Sequence, residues 1–156
     1  MAKIKVARRK PSRIAYIEHR GPYQDIPWDT SIEKLYAFAK RHKLRPGFRP
    51  LGIYPDDPKT TDPAACRTEV ALPIRGDAPG EGEVHVRELP ATEVATRPFE
   101  GTSADYEKAY AELAQWVQSN GYEPAGAPRE VYTKKPKVVG GATYLYSRIE
   151  FPVRKR

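Results

Sequence analysis

Glu130 and Tyr132 stand two residues apart in Arg129-Glu130-Val131-Tyr132, a stretch whose β-branched and aromatic content suits an extended strand. In a strand, residues i and i+2 share a face, so the carboxylate and the phenol point the same way. A carboxylate beside aromatic rings is what a flat, lipophilic cation needs. Ring quadrupoles give ~0.5–2 kcal/mol per good contact, and the carboxylate adds charge pairing. Without a cation, desolvation should favour the neutral form of such an acid, and a bound cation should reverse that. Spacing alone equally allows Glu130 to be an ordinary strand residue paired with Arg129, Arg148, Lys134 or Lys135.

Tyr132 belongs to a frame, Pro-x-x-(Ile/Val)-Tyr-x-x-x-Pro, that occurs twice in the 156 residues, at Pro50–Pro58 and at Pro128–Pro136, 78 positions apart. The chain reads as one module written twice. Tyr54 is the counterpart of Tyr132, whereas the counterpart of Glu130 is Gly52. A twofold arrangement would set the two tyrosines on opposite sides of a groove or at equivalent outer positions. Ten tyrosines and two tryptophans against four phenylalanines supply further flat rings with a polar end. Tyr16, Tyr36, Tyr110, Trp116 and Tyr144 are candidates to line such a groove and equally suit core or sheet packing. Trp28 and Tyr23, near the start of the first helix, could close one end of the groove or staple that helix.

Other chemistry finds little support. His19, His42 and His85 lack ligand spacing, and a single cysteine, Cys66, excludes an intramolecular disulfide and a multi-cysteine metal site, so neither metal nor cofactor is expected. There is no phosphate-cradling glycine loop and no Gly-x-Ser-x-Gly elbow. Lysine and arginine total 27 against 20 acidic residues, a net charge of +7. That charge is spread along the chain, without a long basic run or a nucleic-acid motif, so nucleic acid is not expected as a partner. No apolar stretch approaches 18 residues and no signal-peptide pattern follows Met1. The expectation is a cytoplasmic protein with no membrane partner; its oligomeric state is open.

The elements that must position these residues follow from periodicity. Lys3 to Arg9 and Ile14 to His19 suit half-buried strands. Gly21-Pro22 turns the chain, and Ile32, Leu35, Tyr36, Ala39 and His42 form the stripe of a helix ending near Leu44. Strands are expected at Pro50 to Tyr54 and Arg67 to Ile74, and the Gly/Pro-rich segment 76–82 reads as a linker. The second half repeats the order: strands around Glu83 to Leu89 and Thr92 to Phe99, then a helix with the stripe Tyr106, Ala109, Tyr110, Leu113 and Val117. Thr102 with Asp105 suits its start and Asn120-Gly121 its end. Strands Pro128 to Tyr132 and Tyr144 to Val153 complete the copy. One helix cannot cover both faces of a four-stranded sheet, so the expected fold is α+β: an antiparallel sheet with two long helices on one face and a ligand groove on the pseudo-twofold axis. Residues 1–156 then form one domain of two repeats, about 1–75 and 83–154.

The runs Ile17-Glu18-His19-Arg20-Gly21-Pro22-Tyr23, Gly52 to Pro58 with Cys66-Arg67 following, Glu130-Val131-Tyr132, and Ile149-Glu150-Phe151-Pro152-Val153 together resemble the GyrI-like small-molecule-binding family. That family includes the gyrase inhibitor and the effector-binding domains of multidrug-sensing regulators of the MerR and AraC types. The resemblance implies two strand-helix-strand-strand modules around a central aromatic pocket. It also implies that Glu130, with Tyr132, matches a pocket glutamate that meets cationic, lipophilic compounds. Three functions follow from it: binding of hydrophobic, cationic or aromatic small molecules with a role in xenobiotic protection; if the chain is an enzyme, hydrolysis of cyclopropane-containing genotoxic compounds with Glu130 as acid/base and Tyr132 its helper; and a protein partnership with DNA gyrase. No room remains before Ile4 or after Val153 for a helix-turn-helix, so the chain resembles the stand-alone type.

Overall fold

The computed structural model describes residues 3–47 and 49–156. In chain order its elements are β1 (Lys5–Arg9), β2 (Ser12–Arg20), α1 (Trp28–Arg41), β3 (Arg45–Pro46), β4 (Leu51–Ile53), β5 (Arg67–Arg75), β6 (His85–Leu89), β7 (Thr92–Gly101), α2 (Tyr106–Ser119), β8 (Tyr122–Pro124), β9 (Arg129–Val139) and β10 (Ala142–Lys155). The pairs β1–β7, β7–β10, β8–β10, β9–β10, β2–β5, β2–β6, β3–β5 and β4–β5 are antiparallel, and the fold is α+β.

The chain divides into two compact units whose limits are not those of the sequence repeats. One unit comprises Lys10–Ala91, with strands in the order β4-β5-β2-β6 and β3 added to β5. The other joins Thr92–Arg156 to the N-terminal segment through Arg9, with the order β1-β7-β10-β9 and β8 added to β10. Each repeat therefore lends its first strand to the unit built by the other: β1 pairs with β7, and β6 with β2. Lys10-Pro11 and Pro90-Ala91 explain why neither strand folds back on its successor. Both favoured two-residue hairpin turns need positive φ at the first central position, which Pro90 cannot adopt; Pro11, at the second, excludes type I′, and type II′ would put Lys10, not a glycine, at positive φ.

Within each unit one helix covers one face of the sheet. In the Lys10–Ala91 unit, Leu35, Phe38 and Ala39 on α1 pack against Ala15, Ile17, Val70, Leu72 and Ile74. In the other, Ala109, Leu113 and Val117 on α2 pack against Ala95, Phe99, Ile149 and Val153. The helical residues recur at three- and four-residue spacing, the stripe read from sequence. Thr102 and Asp105 form a reciprocal cap, Thr102 N donating to Asp105 Oδ2 at 2.8 Å, on a short turn that leads into α2. The helices end at residues 78 positions apart, both left-handed: Lys43 (φ 56°) and Gly121 (φ 80°). At Lys43 the turn is held by Leu44 N donating to Ala39 O at 2.8 Å.

The last two strands are longer than the sequence suggested, Arg129–Val139 and Ala142–Lys155 rather than Pro128–Tyr132 and Tyr144–Val153. They form one hairpin, closed by Gly140 (φ 58°) and Gly141 (φ 81°), the backbone that a type I′ turn requires. Pro136, which reads as a strand breaker, sits where the register slips between Lys137↔Tyr144 and Lys134↔Tyr146. An irregularity there accommodates a residue with no N–H to give.

Candidate functional site

Glu130 is the second residue of β9 and lies opposite Ile149, whose side chain is in the core beneath α2; Tyr132 lies opposite Ser147. Alternation along the strand therefore turns both Glu130 and Tyr132 toward the helix. Glu130 is 7% exposed. Each of its oxygens accepts from a phenol: Tyr110 Oη donates to Oε2 at 2.5 Å and Tyr132 Oη to Oε1 at 3.0 Å. Both donors are neutral phenols, so the two bonds fix the orientation of the carboxyl group without adding a charge beside it.

The surrounding wall is aromatic. Tyr106 and Tyr110, one turn apart on α2, meet edge to face at 6.2 Å between ring centroids. Phe99 stacks on Tyr106 at 3.8 Å, and Phe151 lies 5.4 Å from Tyr110. The Tyr106 hydroxyl shares a 2.9 Å hydrogen bond with Ser147 Oγ. Its pKa is pushed well above the ordinary tyrosine value, first by burial and then by the negative charge of Glu130. Tyr106, Phe99, Ser147 and Phe151 are site residues that sequence reasoning left out. The available signal was the i, i+4 spacing of Tyr106 and Tyr110, which stacks both rings on one helical face.

The Lys10–Ala91 unit handles the equivalent positions differently. A Cβ on Gly52 would come 2.7 Å from Tyr54 Oη and 2.8 Å from Trp28 Cη2, so the indole and the phenol occupy the space a side chain at 52 would need. Trp28 stands at the first position of α1 as Tyr106 does on α2. The asymmetry between Gly52 and Glu130 thus has a packing cause: the larger indole excludes an acid. Tyr23 meets Tyr54 edge to face at 5.3 Å and donates from its hydroxyl to Asp56 O at 2.9 Å.

The other sequence candidates stand elsewhere. Tyr16 alternates with the helix-facing Ala15 and Ile17, lies 5.5 Å from the His85 ring and carries the Arg87 guanidinium 5.0 Å over its face. Tyr36 is 38% exposed on α1, its hydroxyl 3.5 Å from Gly47 O. Trp116 stacks with Tyr122 at 6.2 Å. Tyr144 is exposed on the β9–β10 hairpin. The structure thus brings Glu130, Tyr132 and Tyr110 together in one unit and Trp28, Tyr54 and Tyr23 in the other.

A second acid in the Glu130 unit is fully engaged. Glu150, alternating with the helix-facing Ile149 and Phe151, is 2% exposed and accepts from three arginines: Arg9 (2.6 Å), Arg148 (3.1 Å) and Arg129 (3.4 Å). Burial lowers the pKa of Arg129 even beside this carboxylate. This cluster fixes the start of β9, since Arg129 immediately precedes Glu130. Among the described residues no group of three His, Cys, Asp or Glu is arranged to hold a metal, and no helix is long and apolar enough to cross a membrane.

Comparison with known proteins agrees with this architecture. The chain is 33% identical over 119 residues to DNA gyrase inhibitor 2 of Dickeya dadantii, covering 74% of each chain. It is 32% identical over 144 residues to a DNA gyrase inhibitor of Yersinia enterocolitica, covering 88% of this chain and 90% of that one. Among solved structures, the C-terminal domain of EcmrR superposes with a TM-score of 0.76 at 21% identity, covering 100% of this chain and 99% of that domain. The chain spans 58% of the longer EcmrR chain seen in complex with DNA. The model of the GyrI-like small molecule binding domain matches residues 2–154, and the chain belongs to that family.

Proposed function

We propose that the chain binds hydrophobic small molecules that are cationic or aromatic, with Glu130 supplying the charge and the rings of Tyr106, Tyr110, Tyr132 and Phe151 the contact surface. The observation that carries this reading is a carboxylate 7% exposed, held by two neutral phenols and flanked by stacked aromatics. The two hydrogen bonds hold its oxygens in place before any ligand arrives. A cation meeting it gains both charge pairing and ring quadrupole attraction. Membership of a small-molecule-binding family supports a small molecule as the ligand. In this reading residues 1–156 act as one domain of two repeats, working in the cytoplasm. Titration with a rhodamine dye or tetraphenylphosphonium should give saturable binding in the micromolar range; no saturable binding of either overturns the reading.

Two other readings have an observation each. The 2.5 Å bond from Tyr110 to Glu130 suits proton transfer, as a hydrolase opening electrophilic cyclopropanes would need, with Glu130 as acid/base and Tyr132 or Tyr110 as proton donor. Incubation with such a cyclopropane and detection of the hydrated product tests it; turnover no faster than in buffer removes it. The names of the two curated relatives favour gyrase as a protein partner. A supercoiling assay without effect at excess protein removes that.

A further inference from the structure

From Val131 to Ile149 the chain carries Lys134, Lys135, Lys137 and Arg148 and no acidic residue. The outer part of this segment is a projecting arm. The register of β10 with β7 stops at Leu145, while β10 and β9 run on as a hairpin from Lys134↔Tyr146 to Val139↔Ala142. At its apex, Val138-Val139-Gly140-Gly141-Ala142 has no polar side chain, and Val138 and Val139 are 70% and 50% exposed. One step back, Lys137 stands opposite Tyr144; further back, Lys134 Nζ lies 5.4 Å over the Tyr146 ring. Behind the valine tip, where Thr143 stands opposite Val138, two successive levels each set a lysine with a tyrosine, Lys137 with Tyr144 and Lys134 with Tyr146.

We propose that this arm docks the chain on an anionic phospholipid surface, its two valines entering the acyl boundary, its tyrosines at the interface and its lysines among the phosphates. The order of side chains matches the order of layers at a bilayer surface. Adjacent residues of a strand point to opposite faces, so Val138 and Val139 project from opposite sides of the ribbon. A groove on a protein covers one side of a ribbon; a lipid surface closes around its whole tip. A second copy of the chain would bring the lysines of two arms together. The floor of a nucleic-acid groove presents hydrogen-bonding base edges, for which the apex has no side-chain partner. Two valines are too little apolar surface to hold a protein by themselves, so the contact depends on anionic lipid and weakens with salt.

The test is flotation of the full chain with vesicles of phosphatidylcholine alone or mixed with phosphatidylglycerol. Binding is expected to the mixed vesicles only and to fall as salt is raised. Replacing Lys134, Lys135 and Lys137 by glutamine should lower the partition coefficient about a hundredfold, at roughly fivefold per lysine. The pair Val138→Ser and Val139→Ser should lower it about tenfold. All five side chains are exposed, so both variants should keep the wild-type melting temperature. Failure of the wild type to float with anionic vesicles overturns the proposal. So does a valine variant that binds like the wild type, which would leave a purely electrostatic contact with no entry of the tip into the acyl boundary.

Discussion

Glu130→Gln isolates the charge of the proposed site from its shape. Glutamine keeps the length of the side chain and one oxygen to accept from a phenol, and removes the negative charge. A cationic centre held roughly 5 Å from the carboxylate gains about 3 kcal/mol at an effective dielectric near 20, or roughly a hundredfold in Kd. Tyr110 and Tyr132 already donate to both oxygens and draw off part of that field. The expected loss is therefore about 30- to 100-fold for tetraphenylphosphonium. Triphenylphosphine oxide, which is neutral and of similar bulk, should lose less than about threefold, because its ring contacts are unchanged. Isothermal titration of both ligands against both proteins gives the four constants of the comparison, and thermal melting confirms that the variant is folded. Equal losses for cation and neutral ligand, in a folded variant, would refute the charge argument and leave shape alone.

Three further outcomes follow from packing and charge. Gly52→Ala places a Cβ within 3 Å of Tyr54 Oη and Trp28 Cη2 and should cost about 1–3 kcal/mol in chemical denaturation; a neutral result would mean that the indole yields freely. Glu150→Gln leaves three guanidinium groups around an uncharged amide and should cost about 3 kcal/mol, read by the same method, with unfolding at wild-type denaturant as the result that would contradict it. Asp56 accepts from Arg67 Nε, Nη2 and backbone N, and its hydrogen bonds with Arg67 hold its carboxyl below the usual range. Its stabilising effect is therefore fully present above its ordinary pKa of about 4 and is lost as the pH falls from there through the lowered folded value. Asp56→Asn should remove that part of the acid-induced loss, which melting curves across this range would detect.

What was legible in the sequence was whatever local spacing encodes. The Pro-x-x-(Ile/Val)-Tyr-x-x-x-Pro frames, the two helical stripes and the Thr102–Asp105 cap each depend on residues a few positions apart. Glu130 with Tyr132 is of this kind, two residues apart on one strand. The third member, Tyr110, was one candidate among many because its bond to Glu130 spans 20 positions and rests on how α2 lies on the sheet. The Glu150 cluster was beyond reach for the same reason, since Arg9 is 141 positions away. The long β9–β10 hairpin was missed because Pro136 and three lysines mimic a loop, and only the ladder register shows where a proline can stand in it. The exchange of first strands also leaves no local trace beyond Pro11 and Pro90, which forbid the tight hairpins but do not name the alternative partner.

That exchange bears on how such a chain came about and how it can be cut. A solitary ancestral repeat would have lacked the edge strand of its own sheet, and only a second molecule could have supplied it, making the precursor an intertwined homodimer. Within one chain the same exchange of strands is unimolecular and does not depend on concentration. Cleavage in the Gly/Pro-rich stretch at 76–82 should accordingly yield two fragments that stay together, whereas a fragment expressed on its own lacks the edge strand that the other repeat supplies.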